Sequence, residues 1–410
     1  MSTPTTPPPD IDQQIAQLAR RCERIVPEAE LRAKLKRSAE TGRPLRIKLG
    51  MDPTAPDVHL GHAVPLGIVR QFQDWGHKAV IIIGDYTARV GDPTGRNELR
   101  PKLDPEQIDA NAKTYVAQIQ KILLTDPAHL EVRYNGEWLG RMSMMDVITL
   151  LARKTVAQLL AREDFARRYA EGTDIHLHEL MYPLLQGWDS VAIDADVEMG
   201  GSDQLFNNLV GRELQKDQGK EPQVVIVTPL LVGTDGTAKM SKSKGNYIGV
   251  TDPPSGQDGM FGKVMSLPDR LMESYYQLLT DEPLEQVRPD VQSRPRDAKI
   301  RLAKLIIAKL HGPEAADAAE AEFQRLFGAG KSKDAVPDDM PEVAVGAGPH
   351  KIAPLIVRAG LAASNGEAMR KIKEGAVSLD GQKVTDFQKD YALDKPAVLK
   401  LGRKFARLKP

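Results

Sequence analysis

The residues whose types and spacing point most directly to chemistry are His59-Leu60-Gly61-His62 and Lys239-Met240-Ser241-Lys242-Ser243. A helix N-terminus offers unpaired N–H groups and the positive end of its dipole to phosphate. His59 and His62 placed there would add imidazole N–H donors, aimed at oxygens that gain charge during substitution at phosphorus. Gly61, lacking a side chain, would let a flat purine rest against the backbone. Lys239 and Lys242, with Lys244, would close on a triphosphate and neutralise departing pyrophosphate, while Ser241 and Ser243 donate to the same oxygens. Taken singly, the histidines also read as helix caps and the Lys/Ser stretch as a solvated loop. In this order on an α/β background, they point to a carboxylate activated by ATP, with Mg2+ carried on the phosphates.

Two other local readings fail. A His pair three residues apart lacks a third ligand nearby, so no zinc site is expected. Gly328-Ala329-Gly330-Lys331-Ser332 resembles the end of a P-loop, but Arg325 stands where the first Gly is required and a helix precedes it. It reads as linker.

The elements that would position these motifs follow from periodicity. Ile11, Ile15, Leu18, Cys22 and Ile25 recur at helical spacing. Leu45, Ile47 and Leu49 alternate as a strand, and a helix is expected from Leu60 to Trp75. The apolar run Ala79–Gly84 suits a buried parallel strand. Further strands are expected at Leu130–Tyr134, Ala192–Met199 and Gln223–Val227. Both motifs then lie just after strands, where a doubly wound parallel sheet binds its ligands. From Pro268 to Leu326 the pattern is helical. Two short helices, Ala353–Arg358 and Ser364–Glu374, and strands at Val377–Leu379 and Ala397–Leu401 end the chain, with a turn at Asp380-Gly381.

The expected division is a disordered, Pro/Thr-rich segment 1–9, a Rossmann-like catalytic domain 10–263, and an α-helical domain 264–327. A linker 328–349 and a small basic α+β domain 350–410 complete it. With 410 residues there is room for several cores. No apolar run reaches the ~18 residues that span a bilayer, so no membrane role is expected. Cys22 is the only cysteine, which excludes an internal disulfide and fits a reducing cytoplasm. The formal charge is zero, yet residues 350–410 carry 13 Lys/Arg against 6 Asp/Glu. That basic module reads either as a solvated surface or as a surface for a polyanion.

The two motifs together resemble the signatures of class I aminoacyl-tRNA synthetases, and the surrounding residues narrow the resemblance to the tyrosyl-tRNA synthetases of bacteria. Gly50-Met51-Asp52-Pro53-Thr54, Gly91-Asp92-Pro93-Thr94-Gly95-Arg96, Tyr182-Pro183-Leu184-Leu185-Gln186-Gly187-Trp188-Asp189 and Gly200-Gly201-Ser202-Asp203-Gln204 carry it. The likeness is dense from Arg43 to Asn246, looser through the helical stretch, and resumes in the tail, which resembles an RNA-binding fold found in a ribosomal protein.

The resemblance implies a tyrosine pocket. Asp92, Tyr182 and Gln186 would hold the substrate ammonium, and Asp189 would accept the phenolic hydroxyl. Asp203 and Gln204 would contact the ribose and the amino-acid side of the adenylate, and Arg96 and Arg100 would lie on a loop beside pyrophosphate. Tyr182, Gln186 and Asp189, spaced i, i+4, i+7, share one helix face, and a polar stripe of that kind makes poor core. The implied partners are L-tyrosine, tRNA(Tyr) and a second copy of the chain.

There is one departure. Many relatives carry a tyrosine, touching the substrate hydroxyl, where Lys48 stands, and several carry Gln where Glu198 stands. Either Lys48 takes over that contact, directly or through water, or Asp189 carries recognition with other help. Lys48 and Glu198 would also suit a buried pair. Tryptophan as substrate, a nucleotidyltransferase, and a non-catalytic RNA-binding regulator are the alternatives. The Tyr182/Gln186/Asp189 stripe, the joint presence of both motifs with a basic tail, and the intactness of both signatures argue against them in turn.

Overall fold

The computed structural model describes residues 8–93, 104–328, 336–337, 340–402 and 404–410. Two compact units form, and the chain passes between them more than once. The first takes the described residues of Met1–Thr251 with Pro268–Gln292, and the second takes Asp252–Leu267 with Ser293–Pro410. These units cut across the expected boundary at 263, because the first part of the helical stretch folds with the sheet.

The first unit is built on a 6-stranded sheet of order β1-β6-β5-β2-β3-β4. Its strands are β1 Arg24–Val26, β2 Arg46–Met51, β3 Lys78–Ile83, β4 Leu130–Tyr134, β5 Val197–Gly201 and β6 Val224–Thr228. β2 to β6 run parallel, while β1 pairs antiparallel with β6. Ala79 to Ile83 and Val224 to Val227 are at most 1% exposed. Both faces of these strands are covered, so they read as unbroken apolar runs. Each Val or Ile side chain among them contributes about 1.5–3 kcal/mol by leaving water.

Several expected boundaries move. The first helix stops at Arg21; Cys22 caps it and Ile25 lies in β1. Three residues are too few to show alternation, which is why β1 left no signal in the sequence. Ala192 ends a helix, and the strand assigned to 192–199 begins only at Val197.

The chain runs outward from β2 through β3 to β4, then returns to place β5 on the other side of β2. A crevice opens at that reversal, beyond the carboxyl ends of the strands. Helix Leu60–Asp74 follows β2, and helices Leu177–Ala192 and Leu205–Asp217 flank β5. The last two cross closely: a Cβ at Gly187 would lie 3.0 Å from the Gly211 nitrogen. Only glycine there lets one helix lean on the other.

In the second unit, helices Met260–Met265, Pro295–His311 and Pro313–Phe327 pack together, with Phe261 and Phe323 rings 5.1 Å apart. A 5-stranded sheet, with strands Val377–Leu379, Gln382–Lys383, Ala397–Leu401, Lys404–Lys409 and Glu342–Ala344, encloses an apolar core that includes Ile352, Ile356, Ile372 and Leu399. Glu342–Ala344 lies within the segment expected as linker, yet pairs parallel with Lys404–Lys409. Asp380 and Gly381, both at positive φ, make the expected turn.

Candidate functional site

A cleft of about 860 Å³ opens at the sheet's carboxyl edge in the first unit. His59, Gly61, His62, Asp92, Tyr182, Gln186, Asp189, Asp203, Gln204, Lys239, Ser241, Lys242 and Ser243 all line it. Residues drawn from distant stretches of sequence thus meet around one space. Arg96 and Arg100 lie outside the described residues, and Lys48 does not line the cleft.

His59 caps helix Leu60–Asp74 and stacks on His62, with ring centroids 3.9 Å apart. The His59 backbone N–H donates to His62 Nδ1 at 3.2 Å. That bond assigns the remaining His62 proton to Nε2, which leaves a neutral donor on the ring. Burial, with Lys242 nearby, holds His59 down to about 3, and burial, His59 and Lys242 keep His62 well below the ordinary histidine value. At neutral pH both are therefore uncharged donors. His59 Nδ1 is buried without a hydrogen-bond partner, and such an atom is costly unless a ligand satisfies it. Gly61 is required locally, since a Cβ there would stand 2.9 Å from the His59 ring.

The Lys239–Ser243 segment is held more firmly than an open loop. Met240 is buried, and its N–H donates to the Leu231 carbonyl at 2.8 Å. Asn246, also buried, accepts from the Ser241 N–H at 2.8 Å and donates to Asp235 at 2.9 Å and to the Lys239 carbonyl at 3.2 Å. The polarity that reads as a solvated loop is thus partly an internal clamp. Lys239 Nζ pairs with Asp203 at 2.8 Å. Lys242 Nζ bonds to the Tyr115 hydroxyl at 3.1 Å and the Ala55 carbonyl at 3.3 Å, and burial lowers it to about 8. Both cations line the cleft, and Lys242 lies near the histidines.

Another part of the lining is the Leu177–Ala192 helix. Tyr182 donates its hydroxyl proton to Asp52 at 2.9 Å. Gln186 donates to Asn208 at 2.9 Å and accepts from Asn207 at 3.0 Å. Asp92 accepts from Gln204 at 2.8 Å and lies 3.6 Å from the buried Arg162. Asp189 accepts from the Trp138 indole N–H at 2.8 Å and from Asn135 at 3.3 Å. Burial pushes this carboxyl up to about 7, against the opposing pull of Lys48 and those two donors.

Lys48 needs correction as a substrate contact. Its side chain is fully buried and paired with Glu198 at 2.8 Å. Ser190 Oγ at 2.7 Å and the Gln186 carbonyl at 2.9 Å complete its bonds. The alternative of a buried pair is the one realised, because the two residues face each other across β2 and β5. Removing one partner of such a pair costs about 3–5 kcal/mol, since the other charge is stranded.

Sequence reasoning missed Asp52, Tyr115, Asn135, Trp138, Asn207 and Asn208. Asp52 and Asn135 directly follow β2 and β4, so strand ends were a usable signal. Asn207 and Asn208 follow Gln204 at i+3 and i+4, another usable signal. Nothing in the local sequence marked Tyr115 or Trp138.

Comparison with known proteins agrees with this geometry. A family described as tRNA synthetases class I (W and Y) matches residues 40–328, and one described as the tyrosine–tRNA ligase SYY-like C-terminal domain matches 332–404. The chain is 51% identical over 406 residues to a tyrosine–tRNA ligase of Moorella thermoacetica, covering 97% of this chain and 96% of the relative. It is 49% identical over 415 residues to one from Bordetella pertussis, covering 100% and 99%. Among solved structures, the tyrosyl-tRNA synthetase of Archaeoglobus fulgidus complexed with L-tyrosine superposes with a TM-score of 0.61 at 26% identity, over 76% of this chain and 100% of that one. A C-terminally truncated mitochondrial enzyme of Aspergillus nidulans, at 24% identity and a TM-score of 0.62, shares the fold over 77% and 94%.

Proposed function

The chain belongs to the tyrosine–tRNA ligases among the class I tRNA synthetases, and from that membership we propose how its cleft divides the work. The enzyme activates tyrosine with ATP and charges tRNA with it. Tyrosine lies along the Leu177–Ala192 helix, its ammonium met by Asp92, Tyr182 and Gln186. Its phenolic hydroxyl donates to Asp189. The substrate carboxylate, already ionised, attacks the α-phosphorus of ATP, and the bond to pyrophosphate breaks. No general base is needed, so the rate rests on position and charge.

His59 and His62 donate as neutral groups to phosphate oxygens, and Lys239 and Lys242 take up charge as pyrophosphate leaves. Asp203 turns to the ribose, Gln204 to the amino-acid side, and Ser241 and Ser243 to phosphate oxygens. Arg96 and Arg100 assist on the pyrophosphate side. A terminal ribose hydroxyl of tRNA then attacks the adenylate carbonyl, and AMP departs. Among the described residues no group of three or more His, Cys, Asp or Glu side chains is placed to hold a metal ion. Magnesium enters as part of the substrate, on the ATP phosphates.

What carries this reading is the meeting of the Tyr182/Gln186/Asp189 face with His59, His62, Lys239 and Lys242 around one cleft. Amino-acid-dependent ATP–pyrophosphate exchange tests it. Exchange with tyrosine, and not with tryptophan or phenylalanine, is expected. Exchange with tryptophan would move the substrate, and none with any amino acid from folded, ATP-binding protein would overturn activation.

The basic residues 350–410 bind tRNA through backbone charge and shape. Charging, unlike exchange, should then weaken steeply with salt; equal salt sensitivity of the two would count against it. The enzyme works as a homodimer in the cytoplasm. Met144, Met145 and Ile148, 75%, 67% and 51% exposed on one short helix, supply the apolar patch such an interface needs. Ile148→Asp should yield monomers in sedimentation, and an unchanged dimer would exclude that surface.

A further inference from the structure

Lys48 and Glu198 stand opposite each other in the β2–β5 register, at the reversal of strand order beneath the cleft. Their side chains are 0% and 1% exposed. Glu198 also accepts from Ser190 at 3.2 Å and from Gln223. A buried ion pair is a poor source of stability, since apolar residues of similar volume do as well or better. Its use must lie in what its bonds and charge hold.

Those bonds converge on one turn of the substrate helix. Lys48 Nζ donates to the Gln186 carbonyl and to Ser190 Oγ, the residues on either side of Asp189. The cation is anchored to one strand by Glu198 and clamps the next element with its remaining protons. Asp189 lines the cleft, and Lys48 does not.

We infer that Lys48, held by Glu198, is a positioning residue for tyrosine selection: it fixes the Gln186–Ser190 turn against the sheet and so places the Asp189 carboxyl to accept the phenolic hydroxyl. This rests on the reading of Asp189 as the hydroxyl acceptor. The groups facing Asp189 are Lys48 from β2, Glu198 from β5, and the N–H donors of Asn135 and Trp138 from the segment after β4. Burial is the largest influence and drives the carboxyl toward its neutral form. Lys48 and the two hydrogen bonds oppose it, and Glu198 works against Lys48. A site that selects by bonding a hydroxyl rejects phenylalanine because its own polar group would stay unpaired, and that penalty is greatest for a charged acceptor.

A single replacement strands a buried charge, so the test uses the full chain carrying Lys48→Met with Glu198→Gln, beside Lys48→Arg and Asp189→Asn. Exchange is measured against pH with tyrosine and with phenylalanine. In the folded double variant, kcat/KM for tyrosine and the tyrosine-to-phenylalanine ratio should each fall about tenfold at neutral pH, with the KM for ATP within about twofold. The acid limb of kcat/KM for tyrosine should rise by about one pH unit, because the carboxylate has lost its cation. Lys48→Arg should restore most of the ratio.

An unmoved acid limb with an unchanged ratio would reduce the pair to a structural role. So would equal losses for ATP and tyrosine. The Asp189→Asn protein separates the two levels. If it keeps full selectivity, the reading of Asp189 itself falls. If it loses selectivity while the double variant does not, only the role of Lys48 falls.

Discussion

Along the Leu177–Ala192 wall of the cleft, Tyr182 and Asp189 are buried and each is bound to neighbours fixed by the sheet and adjoining helices. Along the Lys239–Ser243 wall, Lys239 is 42% exposed and reaches in from a short segment pinned at Met240 and Asn246. The first wall has given up water in advance, so a ligand that fails to satisfy its polar groups is penalised. The second keeps Lys239 accessible and Lys242 half-buried, with carboxylate, carbonyl and hydroxyl partners that phosphate can displace. Selection between similar amino acids suits the first design, and stabilising a charge that develops only as pyrophosphate leaves suits the second.

If the walls are separate in function, variants should separate them in kinetics. The largest effect is expected from Lys242→Ala, which should lower kcat for exchange by about 10²–10³-fold, as loss of a transition-state donor does. Tyrosine binding without ATP, measured by calorimetry, should stay unchanged; a parallel loss would mean that the walls act as one. Asp189→Asn comes next, with kcat/KM for tyrosine falling about 10–100-fold and the KM for ATP nearly unmoved. Its new amide keeps one acceptor oxygen and turns an NH2 toward the other of the Trp138 and Asn135 donors, so it also loses one of their bonds. Comparable losses for both substrates would erase the contrast.

A smaller effect concerns pH. Burial lowers Lys242 to about 8, so its charge is present below that value and disappears as pH rises through it. The kcat/KM for ATP should decline above about pH 8, while tyrosine binding stays level there. Lys242→Arg should remove that alkaline limb, because guanidinium stays charged. The mildest change is Tyr115→Phe, which deletes the 3.1 Å bond to Lys242 and keeps the ring beneath it. Less than about a tenfold change in the ATP step is expected from one such bond.

Much of this architecture was legible beforehand. The apolar runs of β3 and β6 announce strands covered on both faces, and the Tyr182/Gln186/Asp189 stripe announces a polar helix face looking into a site. β1 was not legible, being three residues long, nor was the parallel pairing of Glu342–Ala344 in a stretch whose Gly, Pro and Asp content reads as loop. The Lys239–Ser243 segment looked free for a related reason. Asn246 clamps it through backbone bonds, and composition carries no trace of such bonds.

By itself, the order of residues determined which side chains of this protein are available for chemistry, and on which helix or strand end each is carried. Local spacing sets faces and termini, so that much needs no tertiary information. Only the folded sheet decided the fate of Lys48. Whether it touched substrate or paired with Glu198 depended on the β2–β5 register, a contact between residues 150 apart in the chain, and a buried cation takes whatever partner that register provides.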